Sequence, residues 1–372
     1  MRLLNYRHGF HAGNPADVLK HAVLARILVH LREKPGAFRV LDTHAGAGVY
    51  DLSGAEAERG GEWRAGIGRL SQAALSREAL PQEALPREAL PREAAALLAP
   101  YLDAVQQMNP SHPSVQAGAG VGEQVGASGP DLGRGPEGRP DRAGNSAPVT
   151  DGTPAVRAPE DAAEHPPLRS ARAPLGKLRF YPGSPAVAQC LLRDQDRLVA
   201  CETAPDIHAE LAAALGRDRR CKALGLDGWA ALKAQLPPPE RRGVVVIDPP
   251  FESAAEVAAL LRALTAAVRK WPTGIFMVWY PVTRRSAADV LLEGVRIASL
   301  PATLRAELRT ARAGPDTKGL GASGVIVVNP PWRLETELAV LLPALAAALG
   351  EDDGAAGAFR LDWLRREGGE RA

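Results

Sequence analysis

Short runs of β-branched and aliphatic residues alternate along the chain with segments in which apolar residues recur every three to four positions. Seven runs fit strands, and they begin near residues 39, 198, 223, 244, 274, 304 and 324. Helical spacing follows several of them, most clearly over 257–268. Alternating strands and helices predict an α/β fold, a doubly wound Rossmann-like sheet of seven strands.

The run from Val244 to Ile247 is typical of a strand buried on both faces, and Asp248-Pro249-Pro250-Phe251 follows it. Two prolines cannot continue a sheet ladder, so the chain leaves the sheet at Asp248. Ligands of open α/β sheets bind at the carboxyl ends of the strands. Asp248, the Pro249 carbonyl and the Phe251 ring are therefore predicted to hold a planar base that carries an exocyclic amine.

The same pattern occurs a second time, as Asn329-Pro330-Pro331-Trp332 after an apolar run. Such a motif can also be a simple strand exit. The first and fourth strands of a doubly wound sheet flank the ligand crevice, which favours Asp248. Asn329 ends the seventh strand, and we expect the sixth strand to separate it from the crevice. Asp248 is thus predicted to be the chemical residue, and Asn329 part of a packed strand exit.

Other predicted strands also end in residues suited to a ligand. Ser184 precedes a proline and predicts a helix start, whose free N–H groups and hydroxyl would suit a carboxylate. Glu202 ends a strand, where a carboxylate can accept hydrogen bonds from ribose hydroxyls. Asp227 and Gly228 follow the next strand. The first strand runs into small residues at 45–48, which let a ligand approach the backbone, although no G-x-G-x-x-G pattern is present.

Positive charge is concentrated near the N-terminus, although the whole chain has a formal net charge of only +2. Residues 1–35 contain six Lys and Arg residues against Asp17 and Glu33. This balance suits a polyanion, and a solvated helix face would look similar. Asn14 as N-cap and Pro15 at the first helical position predict a helix that ends at Pro35.

Cysteine and histidine spacing argues against metal sites. Cys190, Cys201 and Cys221 are odd in number and lack C-x-x-C spacing, which is typical of a reducing cytosol. His8 and His11 lie in a Gly-containing loop without the helical face of a metalloprotease motif, so no metal is expected. No apolar run reaches 18 residues and no apolar signal core is present, so the chain is expected to be cytoplasmic.

Composition divides the chain. Residues 51–108 are largely helical, with a proline-containing repeat over 77–91 that cannot be one continuous helix. Residues 109–176 contain eleven Pro and eleven Gly but no aromatic residue, which predicts a disordered insertion. Residues 1–50 and 177–350 then form the sheet domain, and 351–372 a C-terminal tail.

Several stretches together resemble the ribosomal large subunit RNA methyltransferase J family. They are residues 6–21, 41–48, 180–185, 248–251 and 322–332. The likeness covers most of the chain outside about residues 75–176. The N-terminal stretch is specific to the family, whereas Asp-Pro-Pro-aromatic is shared with many amino-methyltransferases. The family methylates N6 of one adenine, adenine 2030, in 23S rRNA, with S-adenosylmethionine as cofactor. Its Rossmann-like methyltransferase fold carries an inserted helical subdomain.

The resemblance implies roles for individual residues. It places the catalytic residue at Asp248, which would also contact the cofactor, and a substrate contact at Tyr6. Further cofactor contacts are implied at His21, His44, Ser184, Glu202, Asp227 and Gly228. Phe251 stands where Tyr is also common, which keeps a stacking face but removes a hydroxyl. The expected partner is 23S rRNA, naked or in early assembly, and the chain is expected to act as a monomer without membrane or metal.

Two alternative functions remain open from the sequence. A DNA adenine-N6 methyltransferase would use the same chemistry on duplex DNA. A non-catalytic rRNA-binding assembly factor would keep its function when Asp248 is removed.

Overall fold

Ten strands form two sheets in the computed structural model, which describes residues 7–79, 89–110, 178–251, 253–282, 287–298, 300–310, 320–350 and 358–366. The strands are β1 (Arg39–Asp42), β2 (Val49–Asp51), β3 (Phe180–Pro182), β4 (Arg197–Cys201), β5 (Cys221–Leu224), β6 (Gly243–Ile247), β7 (Ile275–Pro281), β8 (Thr303–Arg309), β9 (Ala322–Val328) and β10 (Ala358–Arg365). The main sheet has the order β10-β8-β9-β7-β6-β1-β4-β5, and β2 pairs with β3 in a separate ribbon.

Helices cover both faces of the main sheet. They are α1 (Pro15–Arg32), α2 (Ala55–Gly60), α3 (Ile67–Ala79), α4 (Arg92–Met108), α5 (Ser184–Leu191), α6 (Pro205–Leu215), α7 (Gly228–Gln235), α8 (Ala254–Lys270), α9 (Ala287–Ile297) and α10 (Leu334–Leu349). Short 3-10 turns occur at His8–Phe10 and Glu62–Arg64. Within the described part of the chain, no helix is long and apolar enough to cross a membrane.

Helix α1 is buried over most of its length. The Asn14 side chain accepts a hydrogen bond from the Asp17 amide at 2.9 Å, and Pro15 occupies the first turn, as predicted. Leu19, Val23 and Ile27 are fully buried, and burial of each such side chain contributes about 1.5–3 kcal/mol. The helix is buried on several faces because it packs against the sheet and against α4, α5 and α10. Asp17, Lys20 and His21 on α1 are consequently buried.

All seven predicted strands are present, and the sheet contains an eighth. Strand β10 lies in the segment that the sequence assigns to a C-terminal tail. It pairs with β8 in antiparallel fashion, and the Arg305 guanidinium donates to Asp362 at 2.7 Å across this pair. Its apolar residues alternate with charged ones, which is typical of an edge strand with one solvated face. Such weak alternation near a chain end is easily overlooked.

The second Pro-Pro motif lies at the other edge of the sheet. The expectation that the sixth strand, β8, separates β9 from the crevice is wrong. Strand β9 pairs directly with β7, runs antiparallel to it and lies between β7 and β8. The end of β9 therefore lies beside the beginning of β7. The Asn329 amide donates to the Pro272 and Gly274 carbonyls at 2.7 and 2.8 Å. Asn329 is thus a packed strand exit. It lies away from Asp248 because β9 runs antiparallel to β7.

Asn109 belongs to the folded unit, although the sequence places it at the start of the Pro/Gly-rich segment. Its side-chain oxygen accepts hydrogen bonds from the Arg179 and Phe180 amides at 2.8 Å each. Its amide nitrogen donates to the Val105 and Phe180 carbonyls. The remainder of the predicted disordered insertion from residue 111, most of the repeat and Tyr6 lie outside the described residues.

Candidate active site

The polar residues predicted from strand ends meet at one edge of the sheet. Strands β1, β4, β5 and β6 are parallel neighbours, so their carboxyl ends coincide. Burial, together with the carboxylates of Asp42, Asp227 and Glu202, raises the pKa of Cys201 to about 12. These three acids follow or end strands β1, β4 and β5, which share one edge of the sheet. They therefore lie near the Gly-containing loop after β1, where the sequence predicts the ligand crevice.

Ser184 and Asp42 form a buried contact on the floor of this crevice. The Ser184 hydroxyl donates to Asp42 Oδ2 at 2.6 Å, and the His44 amide donates to Oδ1 at 3.3 Å. Burial raises the pKa of Asp42 to about 6, although the Ser184 hydrogen bond opposes the shift. Ser184 opens α5, but Gly183 holds the N-cap position, and no side chain caps this helix. The predicted helix start at Ser184 is confirmed, and the Ser184 hydroxyl binds the carboxylate of Asp42 within the protein.

The hydrogen bonds around His44 fix which of its ring nitrogens carries the proton. The Thr43 hydroxyl donates its only proton to the Val246 carbonyl at 2.9 Å, so at 2.8 Å it can only accept from His44 Nδ1. The neutral ring therefore carries its proton on Nδ1, and Nε2 is an acceptor. Burial lowers the pKa of His44 to about 4, which keeps the ring neutral near pH 7. Its edge meets Trp229, with ring centroids 5.1 Å apart.

Gly228 closes the crevice beside His44. A Cβ atom at this position would lie 2.4 Å from the Thr43 carbonyl oxygen and 3.0 Å from the His44 ring. Asp227 precedes it as the N-cap of α7, and its Oδ1 accepts from the Ala230 amide at 2.9 Å. Glu202 Oε1 accepts from the Ala204 amide. The second carboxylate oxygens of Asp227 and Glu202 accept no hydrogen bond from the described residues.

Asp248 is held by a lysine that the sequence does not single out. The Lys20 ammonium lies 2.7 Å from Asp248 Oδ2 and 2.9 Å from Asp17 Oδ1. Asp17 Oδ2 in turn lies 2.9 Å from His8 Nε2 and accepts from the Gly13 amide. The Lys20 and Asp248 side chains are 6% and 17% exposed. A chain of charges thus runs from the N-terminal loop through α1 to the Asp-Pro-Pro motif.

The electrostatics of this chain favour the ionised forms of Lys20 and Asp17. Burial opposes the charge on Lys20, but Asp17 and Asp248 raise its pKa well above the ordinary value. Burial likewise opposes ionisation of Asp17, yet Lys20 and His8 hold its pKa well below the usual range. Lys20 is thus an ammonium that fixes one oxygen of Asp248. Among the described residues, no hydrogen bond reaches Asp248 Oδ1.

The Phe251 backbone adopts a left-handed conformation with φ +53°, which is rare for a bulky residue and costs on the order of 1–3 kcal/mol. Its half-buried ring meets Trp279 edge-on, with centroids 5.9 Å apart. Pro249 is buried, and its carbonyl accepts no hydrogen bond from the described part of the chain. Backbone strain that persists at this motif supports a functional reason for the ring's direction.

His21 is enclosed within the fold, away from solvent. Its ring is 0% exposed, and Nδ1 lies 2.7 Å from the Tyr181 hydroxyl, which lies 3.0 Å from that of Tyr101. Burial lowers the pKa of His21 to about 3, so the imidazole is neutral. Nε2 has no partner among the described residues. A ring contact between His21 and a cofactor therefore stays a prediction.

Lys20, Asp17 and Asp42 complete the site. In the sequence, each of the three looks like an ordinary charged residue on a helix or at the end of a strand. The only available signal is the spacing of Asp17 and Lys20, three residues apart on one helix face. That spacing is common on solvated helices, and only burial of α1 distinguishes this pair.

Comparison with known proteins gives a consistent picture. A family model described as Ribosomal RNA large subunit methyltransferase D, RlmJ, matches residues 35–120 and 171–365. The chain is 33% identical to "Ribosomal RNA large subunit methyltransferase J" of Escherichia coli, over 93% of this chain and 94% of that protein. It is 31% identical to the protein of the same name from Haemophilus influenzae, over 98% and 100% of the two chains. A crystal structure of a Legionella pneumophila protein superposes with a TM-score of 0.65 at 27% identity, covering 95% of this chain and 98% of that one.

Proposed function

The chain belongs to the ribosomal RNA large subunit methyltransferase J family, and we propose that it transfers the methyl group of S-adenosylmethionine to N6 of one adenine in 23S rRNA, adenine 2030 in the family. The observation that carries the chemistry is the Asp248 carboxylate. One oxygen is fixed by Lys20 at 2.7 Å, and the other accepts no hydrogen bond from the described residues. Pro249 and Phe251 follow Asp248 directly in the sequence. An amino group on a planar ring matches these acceptors and this face.

The residues around β1, β4 and β5 fit S-adenosylmethionine. Glu202 retains an oxygen for ribose hydroxyls, and the free oxygen of Asp227 can accept from the amine of the cofactor's adenine. His44 Nε2 adds an acceptor, and the first N–H groups of α5 at Ser184 suit the carboxylate. Gly228 keeps this space open. The bound cofactor supplies an electrophilic sulfonium methyl group, so the protein contributes positioning and electrostatics.

Asp248 makes the adenine amine a competent nucleophile. The N6 lone pair is delocalised into the ring, so the free amine reacts poorly. When Asp248 Oδ1 and the Pro249 carbonyl accept its two N–H bonds, the nitrogen is oriented and the positive charge that develops on it is stabilised. Lys20 orients the carboxylate by donating to Oδ2 at 2.7 Å, which leaves Oδ1 for the amine. The proton leaves N6 to Asp248 or to water.

The target adenine must leave its stack to reach Asp248, and Phe251 offers a replacement stacking surface. The N-terminal loop can guide the RNA, with Tyr6 as the proposed substrate contact. Arg7 is 57% exposed, although it also pairs with Glu56 at 2.9 Å. Because His8 contacts Asp17, which contacts Lys20, this loop is linked to the carboxylate that receives the base.

The proposal is tested by transfer of labelled methyl groups from S-adenosylmethionine to deproteinised 23S rRNA that lacks its own modification. After nuclease digestion, label is expected in N6-methyladenosine with the wild-type protein and to be nearly absent with Asp248→Ala. Duplex DNA serves as the competing substrate. No label in rRNA, or label in duplex DNA alone, would overturn the proposal. Full function of Asp248→Ala in cells would favour a non-catalytic assembly factor.

A further inference from the structure

A basic cleft opens at the edge of the main sheet opposite Asp248, where β1, β4 and β5 begin. The cavity has a volume of about 290 Å³. Its cationic lining consists of Arg39, Arg197, Arg219, Arg220 and Lys222. Val199 and Leu224 contribute an apolar floor, and the Gln235 amide completes the wall. The proposed methyl transfer uses none of these side chains.

Strand register explains why the cations converge. Arg39 and Arg197 are partners on neighbouring parallel strands, so their side chains lie on the same face. Lys222 pairs with Val199, two residues beyond Arg197, and therefore lies on that face as well. Helix α7 covers this face but is only eight residues long, about 12 Å, and ends at Gln235. The beginnings of the strands are left open, which forms the cleft.

Part of the positive charge is neutralised within the fold. Arg39 pairs with Glu240 at 3.0 Å, and Arg220 pairs with Asp218 at 2.7 Å. Arg197 Nη1 donates only to main-chain carbonyls. Arg220 also donates to the Leu192 carbonyl at 2.6 Å, so its guanidinium is engaged within the fold. Three lining cations, Arg197, Arg219 and Lys222, have no carboxylate partner among the described residues.

Arg219 and Lys222 are exposed and make no ion pair with the described residues. Both belong to the run Arg217-Asp218-Arg219-Arg220-Cys221-Lys222, which leads into and begins the edge strand β5. Two unpaired cations in a concave, partly apolar recess are an arrangement that attracts phosphate groups. Repulsion among them is relieved when an anion binds.

We propose that this cleft binds phosphodiester groups of the rRNA strand that flanks the target adenine. The proposal rests on the proposed function for the identity of the polyanion. Helix α7 connects the two places, since Gly228 lies against His44 and Gln235 lines the cleft. Its length of about 12 Å corresponds to about four nucleotides at roughly 3.4 Å of helix axis each. An RNA held at Asp248 can therefore reach the cleft past α7.

The double variant Arg219→Glu/Lys222→Glu tests the proposal. RNA binding is measured by filter retention of 23S rRNA at several salt concentrations, independently of methylation, and S-adenosylmethionine binding by equilibrium dialysis. We expect rRNA affinity to fall about tenfold and the slope of log K against log salt to become shallower by about two, one for each lost phosphate contact. In the methylation assay, KM for rRNA rises and kcat changes less than about twofold, because neither residue lies at the reacting edge.

The double variant Arg92→Glu/Arg262→Glu is the matched control. These arginines are also exposed, lie on other helices and change the net charge equally. Its rRNA affinity and salt slope should remain near the wild-type values. Equal losses in both double variants, or unchanged binding in Arg219→Glu/Lys222→Glu, would overturn the proposal. Wild-type protein that binds rRNA through this cleft but fails to methylate it would refute the proposed function alone.

Discussion

Replacement of Lys20 by methionine tests the charge chain most sharply. The ammonium lies 2.7 Å from Asp248 Oδ2, which corresponds to about 6 kcal/mol of gross attraction at an effective dielectric constant of about 20. Much of this offsets desolvation, but removing one partner of a buried pair leaves uncompensated charge and costs about 3–5 kcal/mol. In Lys20→Met, Asp17 and Asp248 then face each other without a cation. We expect stability to fall by about 3 kcal/mol and single-turnover methyl transfer to fall at least about 100-fold.

The stability loss in Lys20→Met should also depend on pH in a definite direction. Without the ammonium, the pKa of Asp17 rises, so this buried carboxyl protonates more readily in the folded variant. Wild-type Asp17 has a depressed pKa, so its stabilisation is present above the unfolded value and is lost as the pH falls. Between pH 7 and 4, Asp17 takes up a proton in folded Lys20→Met but stays ionised in the wild type. The stability deficit of Lys20→Met should therefore shrink as the pH falls over this range.

Arg26→Met is the matched control, assayed by urea unfolding and single-turnover kinetics. Arg26 lies on the same helix and forms a pair of similar burial with Glu337 at 2.7 Å. Its replacement should cost comparable stability but leave the rate of methyl transfer within about threefold of wild type. If Lys20→Met and Arg26→Met slow the reaction equally, or if Lys20→Met retains the wild-type rate, the role assigned to Lys20 is wrong.

Three other substitutions test separate parts of the account. Phe251→Ala should lower kcat/KM for rRNA about 10- to 100-fold because the stacking surface is lost, whereas Phe251→Tyr should stay within about threefold of wild type. Equal losses in the two variants would contradict a stacking role for Phe251. Gly228→Ala places a Cβ 2.4 Å from the Thr43 carbonyl and should weaken S-adenosylmethionine binding at least about tenfold by calorimetry, while Gly225→Ala, with no contact under 3.9 Å, should not. The pKa of His21 is about 3, below its unfolded value, so wild-type stability falls as the pH drops below about 6.5. Between pH 6 and 5, the free energy of unfolding in urea should fall by about 1 kcal/mol less for His21→Phe than for the wild type. Parallel plots of unfolding free energy against pH would refute this.

The sequence predicts the part of the site that depends on local patterns. A buried aliphatic run followed by two prolines marks both a strand and its end, so the position of Asp248 follows from neighbouring residues alone. Glu202 and Asp227 were predictable in the same way, because parallel strands share one carboxyl edge. These predictions need only the alternation of elements and the order of strands around the crevice.

Contacts between distant segments lie beyond that reasoning. Lys20 and Asp248 are 228 residues apart in sequence, and only the packing of α1 against the sheet brings them together. The same holds for Ser184 and Asp42, where a residue that looks like a helix cap serves a buried carboxylate. Strand β10 was missed because an edge strand needs only weak amphipathic alternation. In each case the outcome depends on tertiary contacts that local propensity does not encode.

The central claim is that Asp248 promotes methyl transfer to the adenine amine within a site that is otherwise complete. It is tested most directly by the single-turnover rate of Asp248→Asn at saturating S-adenosylmethionine and 23S rRNA. We predict a rate at least about 100-fold below wild type, with the dissociation constant for S-adenosylmethionine within about threefold. Methyl transfer to N6 at the wild-type rate by this variant would contradict the account.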